Sequence, residues 1–245
     1  VNTLDAFEEA KKSNPYLAPL LDLEQDILIA MGETREKLPP VSGRKVSSKK
    51  VKEKVNQGKS LIDPSDLAVD ESIFAELREK IGQILIKHRP DLKAKADDEG
   101  SEVADFITQN ALRPFLEKEA AALLPKIDQT LWLRPYCPIC GGKPDFAILE
   151  RDVGARHLIC SRCNTQWLYK RLECPFCGTE DVSNLSYYAS EDKVYRLYIC
   201  EACKHYLKAI DLRETGKDPV IPVERVVTLD MDIAAQEKGY LPPLQ

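Results

Sequence analysis

Cys137-Pro138-Ile139-Cys140-Gly141 opens a stretch, closed by Cys200-Glu201-Ala202-Cys203, that holds all eight cysteines of the chain. They come as four CxxC pairs: Cys137/Cys140, Cys160/Cys163, Cys174/Cys177 and Cys200/Cys203. Nineteen residues separate Cys140 from Cys160, and 22 separate Cys177 from Cys200. This is the spacing of a tetrathiolate metal site written twice. One CxxC lets two sulfurs of a tight turn face the same ion, and a second, delivered by a hairpin, completes a tetrahedron. The halves also repeat in sequence, since Cys137-Pro138-Ile139-Cys140-Gly141 is echoed by Cys174-Pro175-Phe176-Cys177-Gly178. Such self-similarity marks a duplicated module.

Consecutive couples should therefore hold one ion each. Cys137, Cys140, Cys160 and Cys163 form the first site; Cys174, Cys177, Cys200 and Cys203 form the second. An interleaved cross-brace, pairing first with third couples, uses the same ligand types. Four disulfides are the other chemistry open to eight cysteines, but strict CxxC pairing and no evident signal peptide point to metal thiolates in a reducing cytosol. Four protein sulfurs leave no open coordination position, so each site reads as structural. Tetrahedral sulfur suits zinc or iron. The residue after each second cysteine must open the turn, which Gly141 and Gly178 do at no steric cost and Asn164 tolerates; Lys204 does not obviously fit. His157 and His205 lie near the pairs but are not needed as ligands.

Outward from the cysteines the chain divides into four. Residues 1–128 read as a helical bundle, 129–173 as a first ribbon module, 174–213 as a second, and 214–245 as a tail with a short helix. Asn14 is positioned to cap a helix with Pro15 at its first position, carrying Leu17, Leu20, Leu21, Ile27, Leu28 and Met31 on one face. Asp70 to His88 repeats that spacing. Ser101 is the cap of a further helix that Pro114 breaks or restarts. Trp132 belongs at the junction of bundle and ribbons. Strand patterns cover 146–150 with 156–159 and 185–189 with 194–199, with further strands in 165–172 and 205–212. The hairpin turns at Arg151-Asp152 and Glu191-Asp192 are candidate contact points. After the Pro-rich connector, Asp230 to Lys238 reads as a helix stopped by Gly239. The fold class is α+β.

Composition limits the function. Hydrophobic residues at 43% and charged ones at 31% describe a chain able to bury a core. No apolar run reaches the length of a membrane helix. Net charge is −5, and the stretch from Cys137 to Arg213 carries eleven Lys/Arg against ten Asp/Glu, so a zinc-ribbon nucleic-acid binder lacks its basic face. A basic run does occur between Arg44 and Lys59, with no aromatic residue interleaved as a stacking platform. A redox or sulfur-transfer CxxC would open a helix in a βαβ setting, and these pairs sit among short strands. No catalytic triad, P-loop or dinucleotide fingerprint is present.

The cysteine-rich half resembles the FdhE-type formate dehydrogenase accessory proteins. The resemblance rests on Cys137-Pro138-Ile139-Cys140-Gly141-Gly142-Lys143-Pro144, on Arg156-His157-Leu158-Ile159-Cys160-Ser161-Arg162-Cys163 with Trp167, on Arg171-Leu172-Glu173-Cys174-Pro175-Phe176-Cys177-Gly178, and on Cys200-Glu201-Ala202-Cys203 with Tyr206-Leu207-Lys208. The segments Leu229 to Ala234 and Glu237 to Tyr240 extend it. It implies a cytoplasmic, non-catalytic factor that binds the catalytic subunit of formate dehydrogenase during maturation. It also implies rubredoxin-like sites, which tilts the choice of metal toward iron.

Overall fold

The structure is a computed structural model, and it describes residues 3–39, 48–62 and 67–243. Its N-terminal half is helical. α1 (Thr3–Ser13) and α2 (Ala18–Lys37) are joined by a single 3-10 turn at Pro15–Leu17. α3 is Ser48–Asn56, α4 Glu71–His88, α5 Lys93–Ala96 and α6 Glu102–Leu123. α2, α4 and α6 pack through Ile27, Met31, Leu77, Ile81, Leu85, Ile107 and Ala111. Those residues recur at helical spacing, so each helix buries one stripe.

The capping signals are met unevenly. Asp70 accepts from the N–H groups of Ser72 and Ile73, and Ser101 accepts from Ala104 N–H at 3.0 Å. Asn14 makes no cap; its Nδ2 instead donates back to the Ala10 carbonyl at 3.2 Å, closing the end of α1. Pro114 neither breaks nor restarts α6, which runs through it. The proline forfeits one ladder bond, but Ala111, Pro114, Phe115 and Leu116 are all buried there, and that packing outweighs the local penalty. The basic run falls partly on residues 40–47, outside the described residues. Its helical part, α3, is not wholly a solvated face, because Val51 and Val55 are buried in the central core.

Six strands form one mixed sheet in the order β3-β2-β1-β6-β5-β4. β1 is Pro144–Leu149, β2 Arg156–Cys160, β3 Gln166–Tyr169, β4 Leu185–Ala189, β5 Tyr195–Cys200 and β6 Tyr206–Asp211. Each module supplies an antiparallel meander, β1-β2-β3 or β4-β5-β6. They join where β1 runs parallel to β6, Phe146 opposite Lys208 and Leu149 opposite Asp211. Parallel pairing needs a long connection, and the second module itself provides it.

Two further helices cover the sheet. α7 (Ile221–Val227), within the stretch read as a Pro-rich connector, begins with Pro222 in its first turn, and α8 is Leu229–Glu237. Proline costs nothing in a first helical turn. Gly239, at φ 84°, ends the helix. Leu241 then returns to bridge His205 in parallel, at the edge of the second module.

Candidate metal centres

The same turn is built four times. In each CxxC knuckle the first cysteine's N–H donates to the carbonyl five residues on, at 2.8–3.0 Å: Cys137 to Gly142, Cys160 to Thr165, Cys174 to Thr179, Cys200 to His205. The residue after the second cysteine donates back to the first cysteine's carbonyl in all four. That residue sits in the left-handed region each time: Gly141 at φ 72°, Asn164 at 53°, Gly178 at 75° and Lys204 at 59°. Lys204 thus adopts the conformation its sequence did not advertise. It is held from outside, since its carbonyl accepts the Leu241 N–H at 2.6 Å and its ammonium lies 5.7 Å from the Tyr240 ring centre.

Consecutive couples converge, and interleaved ones do not. The sulfurs of Cys137, Cys140, Cys160 and Cys163 all lie within 4.8 Å of one another, as do those of Cys174, Cys177, Cys200 and Cys203. In the first cluster, contacts of 3.6, 3.5 and 3.4 Å link Cys137 to Cys163, Cys140 to Cys160 and Cys140 to Cys163. In the second, Cys174–Cys203 and Cys177–Cys200 are both 3.7 Å. A tetrahedron with metal–sulfur bonds of about 2.3 Å has edges of about 3.8 Å, and a disulfide would need about 2.05 Å. The clusters therefore fit an ion and not paired half-cystines.

Donors are aimed at the sulfurs. The N–H groups of Ile139, Arg162 and Phe176 point at the Sγ of Cys137, Cys160 and Cys174, each at 3.4 Å. Thr165 Oγ1 is 3.0 Å from Cys163 Sγ, placed to donate once that sulfur is a thiolate. Gly142 is a second feature that sequence reading passed over: a Cβ there would stand 2.8 Å from Cys160 Sγ. Spacing locates ligands but says nothing about the neighbours that approach them.

The two clusters differ in surroundings. All four cysteines of the first are buried, in a core that also holds Leu116, Leu123, Ile127, Trp132 and Trp167. Trp132 and Trp167 donate their indole N–H groups to the carbonyls of Tyr136 and Arg134 at 2.7 and 2.8 Å, fixing the approach to the first knuckle. In the second cluster Cys177 is exposed and Cys203 half-exposed. Without an ion, burial pushes the Cys137 thiol well above its ordinary range, while bonds from its three neighbours hold Cys160 far below. Burial raises Cys174 to about 11. A bound cation would compensate the charge that burial disfavours on a thiol such as Cys137.

A buried cation lies beside the second cluster. Arg156, 3% exposed, donates to the carbonyls of Lys170 and Glu173, the residues leading into Cys174. Burial lowers its pKa, and Tyr198, Tyr169 and Cys174 oppose that. Neither histidine enters a cluster. His157 accepts from Gln166 at 3.0 Å, and His205 donates to the Cys203 carbonyl at 3.0 Å while stacking on Phe176. The turn at Arg151 is tied down, donating to the Thr215 and Lys217 carbonyls and to Asp218.

Comparison with known proteins gives a consistent set of likenesses. A family model described as the FdhE central domain matches residues 136–171. The curated Protein FdhE homolog of Aquifex aeolicus (strain VF5) is 36% identical over 140 residues, 56% of this chain and 48% of that protein. The Protein FdhE homolog of Stutzerimonas stutzeri (strain A1501) is 29% identical over 128 residues, 51% of this chain and 40% of that one. The matches thus span about half the length of those curated relatives. The crystal structure of the FdhE protein from Pseudomonas aeruginosa shares the fold, with a TM-score of 0.71 at 20% identity, over 97% of this chain and 90% of that one.

Proposed function

We propose, from the premise that the cysteine-rich half of this chain is of the FdhE type, that it is a non-catalytic accessory factor for formate dehydrogenase. In this reading it binds the catalytic subunit in the cytoplasm and assists its maturation. The observation that carries the non-catalytic role is the closure of both clusters. Four sulfurs at tetrahedral separations leave no corner for water or substrate. No helix among the described residues is long and apolar enough to cross a membrane, which agrees with a partner met away from the bilayer.

Cys137, Cys140, Cys160 and Cys163 would hold one ion, iron or zinc, and Cys174, Cys177, Cys200 and Cys203 the other. When bound, each ion supplies a rigid cross-link between two knuckles. The divisions at residues 128, 173 and 213 are proposed as the limits of bundle, ribbons and tail. The helical half is built onto the first ribbon through shared core residues, so bundle and ribbons can offer one joint surface. A pull-down with the tagged catalytic subunit, alongside metal analysis of the purified chain, tests the reading. Recovery of the chain with the subunit, and two ions per chain, are expected. A chain that is not retained would overturn the accessory role.

A further inference from the structure

The two meanders are stacked in the sheet as a repeat, and the repeat is incomplete. β1 and β4 are equivalent strands: each follows the first CxxC of its module and pairs with the strand that enters the second. Phe146 faces Ile159 in one as Ser186 faces Ile199 in the other, and Leu149 faces Arg156 as Ala189 faces Arg196. The far edge of β1 is filled, because β6 lies along it in parallel. The corresponding edge of β4 is the end of the sheet.

The backbone of β4 is oriented for an occupant. Ser190 N–H donates to the Tyr195 carbonyl at 2.9 Å and Glu201 N–H to the Asn184 carbonyl at 2.8 Å, so residues 184, 186, 188 and 190 face β5. By antiparallel alternation, Tyr187 and Ala189 turn both N–H and C=O outward. Their equivalents, Ala147 and Leu149, turn the same way, and there Leu149 accepts the Leu212 N–H at 2.9 Å. Exposed edges are commonly blunted by lysine, proline or a bulge, and Leu185-Ser186-Tyr187-Tyr188-Ala189 has none of these. The opposite edge is partly covered, since Leu168 N–H on β3 donates to Gln129 Oε1 at 3.3 Å.

A cavity of 510 Å³ adjoins this edge, on the face shared by Leu185 and Tyr187, with Leu172, Phe176 and Leu207 among its walls. Mostly apolar, it is lined by Arg156, Tyr198 and His205, each with a buried side-chain atom (Nε, Oη and Nε2) that has no hydrogen-bond partner among the described residues. Its exposed rim carries Arg171.

We infer that the β4 edge is a docking site for an extended segment of a partner polypeptide, added in parallel as β6 is added to β1. Alternate side chains of that segment enter the cavity beside the second cysteine cluster. The occupant is an extended, largely apolar stretch with an acidic group for the exposed Arg171. Backbone ladder bonds give affinity in this mode, and pockets for alternate side chains give specificity. A second copy of this chain fits less well, because its own β4, Leu185-Ser186-Tyr187-Tyr188-Ala189, carries no acidic side chain for Arg171. The proposal rests on the accessory reading for the identity of the partner, the formate dehydrogenase catalytic subunit.

Hydrogen exchange on the full chain, with and without the catalytic subunit, tests it. The Tyr187 and Ala189 amides should exchange fast in the free chain and slow at least tenfold in the complex. Ala189→Pro removes an outward N–H while keeping every bond to β5, and should weaken binding about tenfold or more. Binding that leaves these two amides unprotected, or that Ala189→Pro does not weaken, overturns the β4 site and spares the accessory reading. No binding by the intact chain overturns both. A concentration-dependent dimer of the free chain that protects the same amides would give the edge to a second copy and overturn the proposal.

Discussion

Leu61 donates its backbone N–H to the carbonyl of Pro138 at 2.9 Å, so the chain beyond α3 is paired with the inside of the first knuckle. Ile62 repeats the contact with Ile139 at 2.8 Å, and Tyr136 Oη donates to the Gly58 carbonyl at 2.7 Å. The second knuckle is held from two further directions. Asn164 donates to Glu117 on α6 and accepts from Arg225 on α7, at 2.7 and 2.8 Å. The first cluster is thus a junction of bundle, ribbon and tail, while the second stands at the rim of the sheet.

This asymmetry predicts the order of metal loss. A chelator should strip the second site first, through exposed Cys177, and the first only as the fold opens. Both tryptophans are buried with the first cluster. Their emission should therefore hold steady while the first equivalent of metal leaves and shift red with the second. Simultaneous loss, or an early shift, would contradict the arrangement.

Cys140→Ser should disturb more than one ribbon. A structural tetrathiolate ion contributes on the order of 10 kcal/mol to folding, and here its surroundings include Leu116 and Leu123 of α6. Loss of helical circular dichroism at α3 and the end of α6 is expected, with the α2–α4 contact surviving. Cys177→Ser should leave the helical signal unchanged.

Gly142→Ala and Gly178→Ala separate two reasons for a glycine. The first puts a methyl 2.8 Å from Cys160 Sγ and should abolish metal at the first site. The second meets no atom within 4 Å and carries only the cost of φ 75°, about 1 kcal/mol. Metal content and melting temperature of each variant check the contrast.

Arg156→Gln should loosen the second site ten- to a hundredfold in metal affinity, roughly the effect of losing an outer partner of a metal ligand. The buried guanidinium anchors the carbonyls of Lys170 and Glu173, the latter adjacent in the chain to Cys174. Competition with a chromophoric chelator measures it, and the first site should be unaffected.

Asp211 supplies the pH dependence. It is fully buried at the end of β6, with Arg196 at 2.5 Å and Arg213 at 2.7 Å. Burial pushes its carboxyl up, but the bonds from Arg213 and the charge of Arg196 outweigh that and hold it below the usual range. A depressed carboxyl adds stability above its unfolded value of about 3.9 and loses it as pH falls through the folded value. Asp211→Asn should therefore cost about 3 kcal/mol at pH 7, chiefly by leaving the buried Arg196 guanidinium unpaired. The gap to the parent chain should close below pH ~3.9 in paired melts.

Much of this arrangement can be read from residues alone. Eight cysteines at CxxC spacing name both clusters, and the β-branched runs between them name the hairpins, because those signals are local. The pairing of β1 with β6 is not local. Nothing in Phe146 to Leu149 specifies which edge will meet it, so two ribbons in a row do not announce one sheet. Pro114 misleads for a related reason: local propensity votes against helix, and burial of Phe115 decides for it. Lys204 is held left-handed by a strand-like tail at Leu241, more than thirty residues away in sequence. The contrast between a sealed and an exposed cluster depends on packing from α3 and α6, which cysteine spacing does not encode.

The parallel seam between β1 and β6 also sets a timetable. During synthesis β1 emerges early and closes on β2 through a short turn, a contact that forms in microseconds. Its other neighbour does not exist until Asp211 has been made. Closing that seam spans the whole second meander, a high-contact-order step that is entropically slow. Until then β1 offers the same bare edge that β4 keeps in the finished protein. The nascent chain thus exposes the β1 edge for a time and the β4 edge in the finished fold.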